Sequence, residues 1–487
     1  MSAPFVWIIT PAAIGVVLFF LRRWDRVTGL IAVAVCLWLA WVANVLPFAE
    51  VITLGNITLK ISETYSILGR VFLLSEAERP FLAFLYLLSA YWLLGAYLSK
   101  PTTMFTPFAM ITVALLTATL AVEPFLYAAL MIETIVLFAV PLLVQPGQRS
   151  RKGVLRFLAF QTFGVPFILF TGWMLTGIEA TPGNLDLVVR AGILLAIGFI
   201  FLLAVFPFHS WMPMVAEESQ PYVSAFIFFM LPGVVSLFAL GLVERFVWLQ
   251  ESLPLFDFLR VIGGLMVLVG GVMAAFEDHL GRMMGFAAVM ETGWSMLAIS
   301  FGNYLGTVLY FWLWIPRAVS MVAWAVSLSY FWREAKGDLH LESVRWRGRM
   351  FPVAVLGLLV SHFSLAGVPS MAGFPVRLAL WEHLAGGHPA MAVISLVGSL
   401  GLMVAGMRTM LLLQPPPEGK TKVRDLFMEG YIDSDEPIQQ EVRSRMIITW
   451  SVFALFLVVI LWVGLFPQSF LPGLQSLVGM FPQLGAR

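Results

Sequence analysis

Six ionisable side chains interrupt stretches of sequence that are otherwise apolar. Glu133 sits in Leu130-Met131-Ile132-Glu133-Thr134 and Glu291 in Val289-Met290-Glu291-Thr292-Gly293. Arg317 follows Trp314-Ile315-Pro316, and His362 lies in Val360-Ser361-His362-Phe363. Arg377 follows Gly373-Phe374-Pro375-Val376, and His209 closes Phe206-Pro207-Phe208-His209. A charged group within a lipid-spanning segment is costly and marks function by default. A carboxylate whose pKa is raised by burial can pass protons near neutrality. Arginine cannot, because its guanidinium keeps its proton. Against this stands a plainer role, in which a buried Glu pairs with an Arg and holds helices together. Glu133 is the foremost proton-path candidate. Glu291 and Arg377 divide evenly between the two roles, and His362 and Arg317 lean towards the plainer one. His209, beside Pro207, is expected to satisfy backbone groups freed by a helix break.

These groups need elements to hold them, and the composition says what kind. Of 487 residues, 60% are hydrophobic and 12% charged, against about 25% charged in a soluble domain. So much apolar surface must face lipid, and an all-α integral membrane protein is expected. A net charge of +1 gives no basis for a nucleic-acid partner. The single cysteine, Cys36, excludes a disulfide framework, and the six histidines show no metal-ligand spacing. No flavin, iron–sulfur or nicotinamide motif is present, so no cofactor and no metal is expected, and no residue is assigned to catalysis.

A bilayer core of about 30 Å takes about 20 apolar residues per helix. That ruler marks about fourteen spans, near 4–22, 28–48, 80–98, 103–121, 125–145, 154–177, 187–208, 221–243, 258–276, 283–301, 304–332, 351–385, 388–414 and 447–466. The seventh and twelfth are expected to be broken, the first at Pro207 and the second around Gly367, Pro369 and Gly373. Nineteen Lys and Arg fall in the odd-numbered loops against six in the even ones. Odd loops are therefore expected in the cytoplasm, with both termini outside an inner (plasma) membrane. Residues 51–61 alternate β-branched side chains around Gly55-Asn56 and predict an outer hairpin. Residues 415–446, with three prolines and Asp433, Asp435 and Glu436, predict a polar connector.

Three segments carry a resemblance. Phe206-Pro207-Phe208-His209-Ser210-Trp211-Met212-Pro213, followed by Gln220-Pro221-Tyr222-Val223-Ser224-Ala225, is the first. Ser364-Leu365-Ala366-Gly367-Val368-Pro369-Ser370-Met371-Ala372-Gly373-Phe374 is the second, and Phe276 to Phe286 the third. Taken in chain order, they resemble the antiporter-like, proton-translocating membrane subunits of NADH:quinone oxidoreductase (complex I). That family has relatives in multisubunit sodium/proton antiporters and membrane-bound hydrogenases. The resemblance spans about residues 100–414. It implies fourteen helices with two inverted five-helix repeats and broken helices 7 and 12. Four parts follow: helices 1–3 in 1–99, a first repeat in 100–245, a second in 246–414, and the connector with helix 14 in 415–487. It implies a subunit that carries no redox chemistry itself and works among other membrane subunits of a respiratory complex, in contact with lipid, protons and a complex whose substrate is quinone. The alternative is a subunit of a cation/proton antiporter, a membrane hydrogenase or an ion-uptake complex.

The family passes protons along buried lysines and a glutamate, and here the pattern departs. Glu133 matches the glutamate. At the lysine positions stand Leu202, Pro232, Gly281 and Arg377, and Glu291 occupies the histidine position of the tenth helix. All six lysines lie outside the marked spans. The expectation is a subunit that takes part in proton translocation, or supports it structurally, without the usual central wire.

Overall fold

A computed structural model of the chain describes residues 2–48, 51–54, 57–67, 69–144, 151–180, 185–251, 254–345, 348, 351–414 and 436–485. Helix occupies every stretch that the apolar ruler marks. A π-helical turn, Phe5–Ile9, leads into α1 (Thr10–Phe20), followed by α2 (Asp25–Val45), α3 (Arg79–Ser99), α4 (Phe105–Ala121) and α5 (Ala128–Leu143). Next come α6 (Lys152–Ala180), α7 (Leu185–Leu202), α8 (Trp211–Glu218), α9 (Pro221–Arg245) and the short α10 (Val247–Glu251). The second half holds α11 (Leu255–Phe276), α12 (Leu280–Ile299), α13 (Tyr304–Glu334) and the short α14 (Leu341–Val344). It continues with α15 (Pro352–Ala366), α16 (Phe374–Gly387), α17 (Pro389–Leu413) and α18 (Glu436–Leu465), followed by short helices at Leu471–Leu477 and Pro482–Gly485.

Among the described residues, nine helices are long and apolar enough to cross a membrane, joined by shorter apolar ones such as Phe105–Ala121 and Pro352–Ala366. The outer surface has the composition of a core: Phe20, Trp173 and Phe276 are about three-quarters exposed. Only a hydrocarbon solvent makes that arrangement stable, so these side chains meet lipid. The protein's own core lies around α9 and α13, whose apolar windows are 89% and 94% buried. A helix apolar on all sides belongs at such a centre. At 31 residues, α13 runs about 46 Å, long enough to pass the whole hydrocarbon layer. It packs on α3, α9, α12, α15 and α18.

Small residues set the helix spacing where backbones touch. A Cβ on Gly293 would stand 2.7 Å from the Gly263 carbonyl oxygen, so α12 lies directly on α11. Gly271 and Gly398 bring α17 against the other side of α11 in the same way.

Two boundaries differ from the sequence expectation. The seventh span stops at Leu202, and the chain turns and resumes as α8 at Trp211. The last helix starts at Glu436 rather than near 447, because its Gln, Glu and Arg residues favour helix beyond the apolar part. Most of the expected connector, 415–435, with Asp433 and Asp435, lies outside the described residues. The expected hairpin is present as β1 (Val51–Leu54) paired antiparallel with β2 (Ile57–Lys60), its Gly55-Asn56 tip lying outside the described residues. A second hairpin, β3 (Thr64–Ile67) with β4 (Arg70–Leu73), has no counterpart in the sequence reading. It gains a third strand, β5 (Val122–Glu123).

Candidate functional site: a buried carboxylate between two arginines

Three of the six candidate side chains meet in one place. Glu291 projects from α12, Arg317 from α13 and Arg377 from α16, and none is more than 2% exposed. Glycine contact with α11 fixes α12 and turns Glu291 towards α13. Pro316 lies inside α13 without ending it. Arg377 depends on the break in the twelfth helix. Gly367 caps α15 with φ of +79°, a left-handed backbone that suits glycine. Across the turn, a Cβ on Gly373 would collide with the Ser364 carbonyl oxygen. The two glycines let the chain fold back tightly, and α16 then begins with Pro375 in its first turn and Arg377 just after.

The contacts are mutual. Arg377 Nη2 donates to Glu291 Oε1, and Arg317 Nε donates to Glu291 Oε2 at 3.2 Å. Arg317 Nη2 also donates to Ser295 Oγ at 2.6 Å and to the Glu291 carbonyl oxygen. The Arg377 guanidinium lies 5.1 Å from the centroid of the Trp294 ring. One turn along α13, Ser320 donates to Ser364 Oγ at 2.7 Å and ties α13 to α15. Without the Glu291 carboxylate, two buried guanidiniums would have no counter-charge, at a cost of several kcal/mol. The cluster is therefore built as an electrostatic lock. An apolar cavity of about 290 Å³ beside it, between α7, α9, α11 and α12, reaches Thr292 and Ser295, so hydrocarbon lines the space next to Arg317.

The other candidates find different neighbours. Glu133, on α5, is partly buried; its Oε1 accepts from Thr162 Oγ1 at 2.7 Å, and its Oε2 has no partner among the described residues. His362, on α15, is fully buried, with Nδ1 2.9 Å from the Leu358 carbonyl oxygen and its ring 3.7 Å from that of Trp324. His209 sits at the seventh-helix break, stacked on Phe206, with Nδ1 unpartnered among the described residues. Among the described residues it makes no hydrogen bond to the freed backbone there. Gln161 of α6 does, donating to the Leu202 carbonyl oxygen at 3.2 Å. Pro207 and Pro369 both lie in the non-helical turns, as expected.

The positions that lack lysine are filled. Leu202 is fully buried and Pro232 lies inside the buried α9. A Cβ on Gly281 would collide with the Ala216 carbonyl oxygen, so α8 packs where a lysine stem would need room.

Sequence reasoning missed Ser295, Trp294 and Gln161. Ser295 had a signal, being four residues from Glu291 and so on the same helix face. It also missed a pairing of loops. The turn before α12 and the turn after α13 are joined by backbone bonds, Leu280 N to Leu339 O and Leu341 N to Asp278 O. His279, Asp338 and His340 meet there, each offering a ligand atom within 4.8 Å of the others. Asp338 accepts from His340 Nδ1 at 2.7 Å and from Ser343 Oγ at 2.6 Å. Those bonds hold its carboxyl down at about 2, whereas burial pushes the His279 imidazole down to about 4. His279 Nδ1 accepts from the Arg282 amide and caps α12.

Comparison with known proteins agrees with this architecture. The chain is 25% identical over 324 residues to F(420)H(2) dehydrogenase subunit N of Methanosarcina mazei, covering 61% of this chain and 64% of that protein. It is 26% identical over 238 residues to NADH-quinone oxidoreductase subunit N of Cytophaga hutchinsonii, covering 48% and 51%. The matches thus span half to just under two-thirds of these curated relatives. Two solved structures share the fold over nearly the whole chain, each at a TM-score of 0.73. One belongs to respiratory complex I from Thermus thermophilus, 18% identical with 99% of both chains covered. The other belongs to the Mrp complex from Dietzia sp. DQ12-45-1b, 15% identical with 99% and 98% covered. Residues 157–403, which hold both helix breaks and the whole Glu291 cluster, match the model for the NADH:quinone oxidoreductase/Mrp antiporter transmembrane family, and the chain belongs to that family.

Proposed function

We propose that this chain is an antiporter-like membrane subunit of a complex I-type NADH:quinone oxidoreductase. In this reading it supports proton translocation through charge and helix packing and does not carry protons along a central row of lysines. The observation that carries it is the clamping of Glu291 between Arg317 and Arg377. The family's relay position in the tenth helix is occupied here by a carboxylate tied to two groups that hold their protons. Leucine, proline and glycine at the other relay positions support the same reading.

The relatives named subunit N support a place beside other membrane subunits in such a complex. The paired turns before α12 and after α13 support odd-numbered loops sharing one face, which the charge count assigns to the cytoplasm of an inner (plasma) membrane, with both termini outside. We also divide the chain into helices 1–3 (1–99), two inverted repeats (100–245 and 246–414) and the final segment (415–487). Purification of the chain from native membranes under mild detergent, with its partners identified by mass spectrometry, tests the assignment. Recovery with the quinone-reducing and other antiporter-like subunits is expected; recovery as a free transporter would overturn it.

A second reading rests on one observation, the Glu133 Oε2 left without a partner among the described residues. In that reading a proton path through the first repeat would run past this atom.

A further inference from the structure

The Glu291 cluster holds two guanidiniums and one carboxylate, and the surplus positive charge lies at Arg377. Arg377 spends Nη2 on Glu291, but its Nε and Nη1 are buried with no hydrogen-bond partner among the described residues. The side chains around it add donors rather than acceptors. Trp294 lies against the guanidinium at 5.1 Å. Trp381 follows one turn along α16, its ring edge-on to Trp294 with centroids 5.9 Å apart. Both indole Nε1 atoms are buried and unpartnered among the described residues. Arg377 also stands in the first turn of α16, a 14-residue helix whose N-terminal amides carry positive character.

The side chains at this corner therefore offer hydrogens, and the backbone acceptor beside them, the Ser364 carbonyl oxygen at the end of α15, already accepts from the Gly367 amide. Contact with the Trp294 face offsets only about 2 kcal/mol of a buried cation's cost. Water can satisfy N–H groups but leaves the surplus charge in place. A monovalent anion satisfies both demands: with Glu291 it balances Arg317 and Arg377 and leaves this layer of the protein neutral.

We propose that the α15–α16 break holds a small monovalent inorganic anion, bound by the free guanidinium edge of Arg377 and the indole N–H groups of Trp294 and Trp381. Close packing favours a small ion, since a Cβ on Gly367 would already stand 2.7 Å from Arg377 Cδ. The site rests on the fold and on burial in lipid alone, so it stands or falls separately from the role in proton translocation.

Chloride is the probe. Equilibrium binding of radiolabelled chloride is measured on the full chain in its native complex, in lipid nanodiscs. One saturable chloride attributable to this chain is expected. Arg377→Gln should abolish it. Because that change also removes one of the two arginine partners of Glu291 and can disturb folding, two further variants are measured. Trp294→Phe keeps the ring and drops the N–H, and should weaken binding roughly fivefold. Glu291→Gln removes the competing negative charge and should tighten binding roughly tenfold, a gain that a merely destabilised protein would not show. Absence of saturable chloride from the parent protein would overturn the proposal. So would binding left unchanged by Trp294→Phe and Glu291→Gln.

Discussion

Glu291 Oε1 accepts a hydrogen bond from Arg377 Nη2 across 86 residues of chain. That contact joins the middle of an unbroken helix, α12, to the start of a half-helix, α16. It exists because the glycine turn at 367–373 swings Arg377 inward, and it makes the broken helix part of a charge cluster instead of a loose end.

Loss of the carboxylate should therefore cost more than loss of the whole pair. Glu291→Ala leaves two buried guanidiniums facing each other and should destabilise the protein by roughly 3–5 kcal/mol. Combining Glu291→Leu with Arg377→Leu removes both charges of this pair, leaves Arg317 with Ser295 Oγ as a side-chain partner, and should cost less than the sum of the single changes. A double-mutant cycle on thermal unfolding in detergent measures the coupling.

The turn between α15 and α16 should tolerate no side chain at Gly373. Gly373→Ala drives a methyl group into the Ser364 carbonyl. The chain must shift to relieve it, at about 1–3 kcal/mol for an overpacked site. Lower yield of assembled protein and a reduced unfolding midpoint are the expected readouts, with Gly387→Ala, which meets nothing within 4 Å, as the control.

At the loop pairing, pH should act through His279. Its folded pKa of about 4 lies below the ordinary 6.5, with Glu217, Arg282, Asp338 and His340 around it. The unfolded chain then binds the proton more readily, so stability is full above about 6.5 and falls as pH drops towards 4, by up to about 3 kcal/mol. Unfolding midpoints between pH 7 and pH 4.5 should fall in the parent protein. They should fall less in His279→Asn, which keeps a capping acceptor for the Arg282 amide but cannot titrate.

Much of this architecture was legible in the chain because lipid imposes a simple ruler. Runs of about twenty apolar residues had to be helices, and proline and glycine within them marked both breaks. Isolated charges are less informative. Nothing in the surroundings of Glu291, Arg317 or Arg377 names a partner, since each comes from a different helix and only packing around α13 brings them together. His279 and His340 stay hidden for the same reason, being joined by two turns far apart in sequence. The polar start of α18 was taken for connector because the ruler measures apolarity, whereas helix continues through Glu, Gln and Arg beyond the lipid. The second hairpin escapes a sequence reading because four-residue strands carry too little alternation to stand out.

The central claim, that this chain supports proton translocation without relaying protons through its own buried groups, is tested most directly by proton-to-electron stoichiometry. The native complex carrying Glu133→Gln is reconstituted in proteoliposomes, with assembly checked by subunit composition. An unchanged number of protons pumped per electron pair is the predicted result. A lower number in a fully assembled complex would contradict the account and place a proton path through Glu133.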